Sequence, residues 1–508
     1  MLSDVSELMP FTPDAILEDL SNGDLDKNSA LELLMTIIDD SDQMQTRLES
    51  INIIQKLNLK SKNLYNFLEN LLVSDNDDKI RIQSAKTLIG LYKEEAIPPI
   101  KWVLLKDASL IVKINLINQV AGINHVKVKG ILFKILNAVL KKKYKYNLKV
   151  LNDTTNLESL NSKEIAEILI NYLVISSLKL KFGYIKFDFS EEGTIISLDL
   201  SNVDFKGLSL NKLFNSLEAI LSLSNLKKLD LSNNHLQNLP EIINATNQLE
   251  ELNLSYNNIY RLPESISTLS RLKMLNLKSN QLRFLPESIN SLKFLELLVL
   301  RDNLINQIPS KLGNLSNLKF LDLHHNKLSN FSLDFETPND LTQLELGWNN
   351  LINFPDAIKS LNNLESLSLE RNKITTIPSW ISSLTNLKKL LIHDNQISDL
   401  PPEISLINNL QELNLRNNNF ESFPLCISKL SDLKILNLSW NSLIEIPSWI
   451  HNLHSLEVLN LWGNKIDKIP KELLSLKNLK IIYLNFNKIT EFSKELNILK
   501  EKGIIVNV

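Results

Sequence analysis

The sequence of 508 residues predicts two repeat architectures in succession, an all-α solenoid followed by an α/β solenoid built on a parallel sheet. The first observation is a pattern that recurs every 23 residues from residue 226 onwards. The second is a set of three earlier segments, 34 and 32 residues apart, that show helical periodicity. The third is the low glycine count of 11, which is expected where asparagine, proline and polar residues make the turns.

The glycines are also too widely spaced for the loops that several enzyme classes require. The nearest pair, Gly122 and Gly130, lies eight positions apart. Phosphate-binding loops and nucleophile elbows need closer glycines, because backbone N–H groups must approach a phosphate or an oxyanion without an intervening Cβ. The sequence therefore excludes a P-loop, a dinucleotide-binding fingerprint, a kinase glycine loop and a hydrolase elbow.

The 23-residue unit reads LxxLxLxxNxLxxLP, and its first copy begins at Leu226. Leucines that alternate with other residues predict a strand with one buried face, so twelve stacked copies predict a parallel sheet over a leucine core. The asparagine follows each strand, and we expect its amide to pair with backbone groups of the adjacent coil that burial would leave unsatisfied. This asparagine ladder comprises Asn234, Asn257, Asn280, Asn303, Asn326, Asn349, Asn372, Asn395, Asn418, Asn441, Asn464 and Asn487.

Less regular elements flank the repeats and interrupt them once. An atypical first copy around Leu198 has Val203 where asparagine is expected, and the segment after each LP step is predicted to form a short helix or 3₁₀ turn. In the fifth copy Ser332 replaces the proline and Pro338 replaces a leucine, which predicts an irregular outer segment. The tail is predicted to form a helix that ends at Gly503, followed by a final strand.

The first part of the chain predicts helical hairpins. The aligned segments are 47–57, 81–91 and 113–123, and acidic residues precede each of them at Asp42, Asp77, Asp78 and Asp107. Three or four such hairpins would form a short α-solenoid. The predicted organisation is an acidic segment over 1–28, helical repeats over 29–144, a connecting segment with a capping helix over 145–192, the 23-residue repeats over 193–492 and a cap over 493–508.

The 23-residue pattern resembles the leucine-rich repeat family over residues 193–508, and the helical segments resemble HEAT repeats, in which Asp and Arg tie adjacent hairpins. The resemblance implies a leucine-rich repeat horseshoe with a concave parallel sheet. The LP form of the repeat is similar to the intracellular class that includes the Ras-group and Shoc2-like scaffolds. It therefore implies a non-enzymatic protein–protein interaction scaffold in signal transduction, with a small GTPase or a phosphatase subunit as its partner.

The variable positions of the strands would line the concave face, where the leucine core does not require aromatic side chains. Tryptophan, tyrosine and arginine are the residues that most often anchor interfaces. The predicted partner-binding residues are Tyr256, Arg301, His324, His325, Trp348, Glu370, Arg371, His393, Asp394, Arg416, Trp440, Trp462, Tyr483 and Phe486. The alternative is that the aromatic residues only stack on neighbouring repeats, and that Arg371 and Asp394 pair with each other. We expect Gly347 and Gly463 to leave gaps that admit a partner's side chain.

The sequence predicts no catalytic site, metal site or cofactor. His324 and His393 lie three repeats apart, about 14 Å at the usual strand spacing, which is too far to share one metal ion. Asp322 and Glu345 are neighbours, but we expect them to be solvated charges in an open groove. Cys426 lies on the convex side with no histidine nearby in the pattern, so it is not expected to be a nucleophile.

A basic segment interrupts this otherwise balanced chain of net charge −3. It suggests a patch for an acidic partner or an anionic membrane surface, or only a solvated helix face. The patch comprises Lys127, Lys129, Lys141, Lys142, Lys143 and Lys145. A membrane-surface adaptor and a repeat receptor with a catalytic N-terminal domain therefore remain as alternatives. The charge balance argues against nucleic acid, and the single cysteine and absent signal or transmembrane segment predict a cytoplasmic monomer.

Overall fold

A computed structural model describes residues 12–123, 126–141, 159–190, 192–203, 210–239, 248–334, 339–489 and 494–508. The chain divides into two compact units. The first comprises 1–198 with 208–226, and the second comprises 199–207 with 227–508. The two units are described separately below.

The described part of the first unit is mostly helical. A 3₁₀ turn at Lys93–Ala96 precedes α6, and two short strands follow α9, namely β1 (Lys186–Phe189) and β2 (Ile195–Asp199). The α-helices are α1 (Pro13–Asn22), α2 (Lys27–Asp40), α3 (Met44–Leu57), α4 (Lys62–Ser74), α5 (Asp78–Tyr92), α6 (Ile97–Lys106), α7 (Leu110–Ala121), α8 (Val126–Lys141), α9 (Ser162–Phe182) and α10 (Leu210–Leu221).

Helices α3, α5 and α7 contain the three segments that the sequence aligns, and they pack against one another in order. Each begins at or after a short polar turn, and its apolar residues, such as Ile51 and Leu88, are fully buried. Charged pairs tie the successive turns together. Arg47 binds Asp75, and the Nε of Arg81 lies 3.0 Å from the Oδ2 of Asp107. The sequence pointed to Asp107, whereas Asp75 was not among the acidic residues considered.

The described part of the second unit is a parallel sheet whose strands follow chain order, so the predicted α/β solenoid after a helical part is confirmed. The strands pair in register 23 residues apart, as Leu390 does with Leu413. The central leucine of each strand is buried against the strands on both sides. The strands are β3 (Lys228–Asp230), β4 (Glu251–Asn253), β5 (Met274–Asn276), β6 (Leu297–Val299), β7 (Phe320–Asp322), β8 (Gln343–Glu345), β9 (Ser366–Ser368), β10 (Lys389–Leu391), β11 (Glu412–Asn414), β12 (Ile435–Asn437), β13 (Val458–Asn460), β14 (Ile481–Tyr483) and β15 (Ile505–Asn507).

Short 3₁₀ turns form the outer half of most described repeats, each directly after the LP proline. They span Glu264–Thr268, Glu287–Ser291, Ser310–Asn314, Asp356–Ser360, Ser379–Ser383, Pro402–Leu406, Leu425–Lys429, Ser448–Asn452 and Lys471–Ser475. The fifth repeat has no such turn in its described residues 331–334 and 339–341. Its backbone instead bonds to the preceding repeat, as Asp334 N–H does to the carbonyl of Ser310 at 2.8 Å. Pro338 lies outside the described residues.

The asparagine ladder joins each repeat to the one before it. The Nδ2 of Asn372 donates to the carbonyls of Leu346 and Leu369 at 3.1 and 3.0 Å. Its Oδ1 accepts from the N–H of Leu351 at 2.9 Å. The same bonds recur at the neighbouring asparagine positions, for example at Asn395. A buried amide therefore satisfies two carbonyls and one N–H that lack partners within the sheet.

The end of the chain covers the last repeat. Helix α11 (Lys494–Glu501) ends at Gly503, whose φ of 81° lies in the left-handed region that favours glycine. Strand β15 then pairs with β14 in the same parallel register. Leu496 and Leu499 are fully buried, so they close the core at this end of the second unit. None of the helices in the described residues has the length and apolar character needed to span a bilayer.

Candidate functional site

The candidate site is the face of the second unit formed by the residues between and after the strand leucines. The last residue of each strand commonly bonds to the backbone two residues ahead. The Oδ1 of Asp322 accepts from the N–H of His324 at 3.0 Å, and Asn437 does the same for Ser439 at 3.1 Å. This local turn fixes the chain as it leaves the strand and prepares the next two positions of the face.

The second position after each strand adopts a left-handed backbone conformation. Its φ is 55° at Trp348 and at Trp440, 51° at Arg371 and 58° at Phe486. Asparagine tolerates this conformation readily, whereas a bulky side chain there is unusual and costs free energy. Tyr256 shares the conformation, and it and Phe486 are 53% and 75% exposed. Large exposed residues at strained positions mark this column as a candidate binding surface.

A buried polar cluster occupies the middle of the face. The Nε2 of His324 lies 3.1 Å from the Oε1 of Glu370, and the other carboxylate oxygen of Glu370 accepts from the hydroxyl of Ser368. His324 and Glu370 are only 9% and 8% exposed. The prediction that these two side chains are open to a partner is therefore wrong. The sequence did not point to Ser368, although its column contains Glu345 on the adjacent strand.

Gly347 makes this contact possible. A Cβ on Gly347 would lie 2.3 Å from the Oε1 of Glu370, so the carboxylate fills the space that a side chain would otherwise occupy. The expectation that Gly347 leaves a gap for a partner's side chain is wrong, because Glu370 of this chain fills it. The short residue lets Glu370 reach across one repeat to His324.

The carboxylates of the cluster differ in their proton affinity. Burial raises the pKa of Glu370, but hydrogen bonds from His324 and Ser368 outweigh burial and leave that pKa below its ordinary value. Burial raises the pKa of both Asp322 and Glu345 above their ordinary values. Asp322 is 8% exposed, so the expectation of solvated groove charges is wrong for this residue. Desolvation, rather than exposure to water, governs these groups.

Trp348 lies above the cluster and is 41% exposed. The guanidinium of Arg371 lies 4.0 Å from the centre of its ring, and His325 meets the ring edge-on at 5.6 Å. The Nε of Arg371 also lies 3.2 Å from the Oδ2 of Asp394, as the sequence alternative predicted. A cation over a tryptophan face gains electrostatic attraction and fixes both side chains. The result is an ordered, half-exposed platform.

Charged groups flank this platform on both sides. The Nδ1 of His325 lies 2.7 Å from Asp302, and the amide of Asn417 donates to Asp394 at 2.6 Å. Arg301 is half-buried beside Asp302, with 3.6 Å between its Nε and the Oδ2. Burial lowers the pKa of His393 below its ordinary value, which favours its neutral form.

A separate aromatic cluster, comprising Trp440, Trp462 and Phe486, lies towards the end of the sheet. The rings of Trp440 and Trp462 are 5.9 Å apart, and those of Trp462 and Phe486 are 5.8 Å apart. Trp440 is 46% exposed and Trp462 39%. Both sequence alternatives therefore hold here, because the rings stack on neighbouring repeats and remain accessible. Tyr483, expected in the same group, is only half-exposed.

Gly463 supports this aromatic cluster. A Cβ on Gly463 would lie 3.0 Å from the indole of Trp440, and its φ of 71° is in the left-handed region. The expected gap for a partner's side chain is again wrong, because Trp440 covers the glycine. Of the remaining predicted contacts, Arg416 is exposed and Tyr256 lies 5.4 Å from the ammonium of Lys278.

Residues on the convex side have local structural partners. Trp380 packs edge-on against Phe354 and donates to Asp356 at 2.9 Å, and Trp449 packs against Phe423. Burial raises the pKa of the Cys426 thiol to about 11. The described residues contain no group of three or more histidine, cysteine or acidic side chains that could hold a metal ion.

The basic patch predicted from the sequence falls only partly within the described residues. Lys127 and Lys129 lie on α8, and Lys141 is its last residue. Lys142, Lys143 and Lys145 lie outside the described residues, so the structure does not test their surroundings.

Comparisons with known proteins agree with this architecture. A family model described as "Leucine-rich repeat region" matches residues 390–501, and one described as "Leucine rich repeat" matches 224–282, 247–305 and 354–397. A solved leucine-rich repeat protein of Leptospira interrogans is 31% identical, with a TM-score of 0.43; the alignment covers 61% of this chain and 95% of that one. No curated protein matches the chain.

Two further solved structures have similar folds. An internalin, inlF, from Listeria monocytogenes is 20% identical over 74% of this chain and 94% of its own, with a TM-score of 0.52. The structure titled PEPR1-AtPEP1 is 25% identical, with a TM-score of 0.51. That alignment covers 62% of this chain and 55% of the other, so this chain spans about half of that protein's length.

Proposed function

Since the chain belongs to the leucine-rich repeat family, we propose that it is a non-enzymatic scaffold that binds a folded protein partner on the face described above. The platform around Trp348 and the aromatic cluster at Trp440, Trp462 and Phe486 would supply the main contacts. The described residues that could do chemistry are engaged with one another, which supports binding rather than catalysis.

The observation that carries the proposal is the exposed aromatic cluster. Its three rings touch one another at 5.9 and 5.8 Å, yet each keeps more than a third of its surface in water. A stacked, exposed row of this kind gains free energy when a partner removes its apolar surface from water. Aromatic residues of this type dominate the binding free energy of protein interfaces.

Rigidity supports the same proposal. Each aromatic residue follows a strand that is paired on both sides, and the buried asparagine ladder fixes the backbone beside it. Side chains ordered before binding lose little further entropy on association. The polar cluster of His324 and Glu370 would then stiffen the base of the site rather than contact the partner.

The spacing of the two contact regions favours a folded partner. Trp348 and Trp440 belong to the sixth and tenth repeats, which places them about 19 Å apart along the sheet. One short side chain cannot reach both regions, whereas the surface of a small domain can. We further propose a small GTPase or a phosphatase subunit as the partner, a monomeric state and a cytoplasmic location, as the intracellular repeat consensus implies.

The test is affinity capture with the double variant Trp348→Ala/Trp440→Ala, followed by quantitative mass spectrometry and binding measurements on each protein captured. The matched control is Phe284→Ala/Phe294→Ala, which removes two aromatic residues that are 56% and 58% exposed outside this face. We expect at least one partner to bind wild type and control equally and the test variant about 100-fold more weakly, which is about 2.7 kcal/mol. Retention of every partner by the test variant would contradict the proposal.

A further inference from the structure

An apolar groove of about 400 Å³ lies in the first unit, among helices α6, α7, α8 and α9. Leu104 and Leu105 line it from α6, Ile117 from α7, Ile131 and Ile135 from α8, and Leu173 from α9. Its volume is within the range of sites that accept a few large side chains. Because four helices contribute, the packing of the unit fixes its shape.

Three lysines surround the apolar walls. Lys101, Lys113 and Lys134 come from three different helices, and no carboxylate is among the described residues that line the groove. Lys101 and Lys134 are exposed, and Lys113 is half-buried. An ammonium group next to an apolar wall recruits an occupant that is apolar on one side and acidic at its edges.

The apolar surface continues beyond the groove. Leu105 is 53% exposed and Trp102, three residues earlier on α6, is 49% exposed. Residues three apart lie side by side on a helix, so the two form one strip. The combined groove and strip suit an elongated occupant better than a small molecule, which would leave the strip in water.

We propose that this groove binds an acidic amphipathic helix of a protein partner. Apolar residues at helical spacing would enter between α6 and α8, and carboxylates on either side would meet Lys101 and Lys134. Helix-in-groove recognition combines these two features. A lipid bilayer is the less suitable occupant, because Leu104 and Ile117 lie recessed at 5% and 1% exposure, where a flat surface does not reach them. This surface is independent of the face proposed above.

The experiment measures fluorescence anisotropy of a labelled peptide of about 18 residues, with leucine at helical positions i, i+3, i+4 and i+7 and glutamate elsewhere. The control peptide has the same composition, with its leucines spread around the helix. The probe is titrated with the full chain and with Lys101→Glu/Lys134→Glu. We expect micromolar binding of the amphipathic peptide, weaker binding at high salt, and at least about tenfold loss in the variant.

Two matched controls separate the groove from general effects. Lys56→Glu/Lys86→Glu makes the same change in charge at exposed positions on α3 and α5, and we expect it to bind as wild type. Leu105→Gln should weaken binding, whereas Leu17→Gln, at a residue 39% exposed on α1, should not. Circular dichroism and thermal unfolding check that each variant folds.

Three outcomes would overturn the proposal. The first is equal binding of the two peptides, or of the peptide by wild type and Lys101→Glu/Lys134→Glu. The second is flotation with vesicles of phosphatidylcholine and phosphatidylserine that depends on these lysines, in the absence of peptide binding. The third is self-association of the wild-type chain that Leu105→Gln abolishes, again without peptide binding, which would make a second copy the occupant.

Discussion

His324 and Glu370 form a hydrogen-bonded pair across the repeat that lies between theirs. Their Nε2 and Oε1 atoms are 3.1 Å apart, although the residues belong to the fifth and seventh repeats. The contact requires that Gly347, in the sixth repeat, has no side chain. A glycine in this column therefore has a structural role that its backbone angles alone do not reveal.

Replacement of Gly347 by alanine should destabilise the second unit. The new Cβ would lie 2.3 Å from the Oε1 of Glu370, which must move away from His324. Overpacking of this kind costs about 1–3 kcal/mol, measurable as a lower midpoint of urea unfolding. The variant Ser232→Ala, in the same column, is the control and should change stability little.

A double-mutant cycle identifies the cause of this loss. In a Glu370→Ala background the clash is absent, so Gly347→Ala should cost less than in the wild-type chain. Equal costs in both backgrounds would contradict the assignment of Gly347 to the His324–Glu370 contact.

Replacement of Asp322 by asparagine should stabilise the protein at neutral pH. Asparagine keeps the oxygen that accepts from the N–H of His324, as Asn437 does for Ser439 in its own repeat, but it carries no buried charge. Because burial raises the pKa of Asp322, its ionised form costs stability at pH values above that pKa. The gain should be roughly 1 kcal/mol at pH 7, the usual size of a single-residue effect.

The pH dependence tests the mechanism. As pH falls, Asp322 becomes protonated first in the folded state, so the penalty that asparagine removes should fade as pH approaches the ordinary value of 3.8. Urea unfolding of both proteins between about pH 4 and pH 8 measures this difference. A stability difference that does not vary with pH would show that the buried charge is not its cause.

Replacement of Asn372 by alanine should cost stability although the residue contacts no partner. The change leaves the carbonyls of Leu346 and Leu369 and the N–H of Leu351 without their bonds in a buried setting. At about 1–3 kcal/mol for an unsatisfied buried group, we expect a loss of at least about 2 kcal/mol. The exposed Asn306→Ala is the control, with an expected change below about 0.5 kcal/mol. Similar values for the two variants would contradict the prediction.

The fold was largely predictable because it follows from the repeat. Leucine alternation and the step of 23 residues predict the strands, their order and their register, as the pairing of Leu390 with Leu413 shows. The positions of the exposed rings at Trp440 and Trp462 follow from the same columns.

The contents of the site were less predictable, because they depend on how far each side chain reaches. The repeat places Glu370 and His393 side by side, but Glu370 bonds to His324 over the vacant position at Gly347. A pattern of columns cannot state which neighbour a flexible carboxylate chooses. The two glycines had suggested empty space, whereas the structure shows that Glu370 and Trp440 fill it.

Cys426 should react slowly with alkylating reagents in the folded protein. Burial, with a smaller effect of Asp399, raises the pKa of its thiol from an ordinary value of 9.0 to about 11. Since the thiolate is the reactive form, its fraction near pH 8 should be of the order of 100-fold smaller than in the unfolded chain. Iodoacetamide labelling followed by mass spectrometry measures the rate, with the chain in urea as the control. The folded rate should continue to rise with pH up to about 11. A plateau near pH 9, or equal rates in the folded and unfolded states, would show that the thiol is not protected by burial.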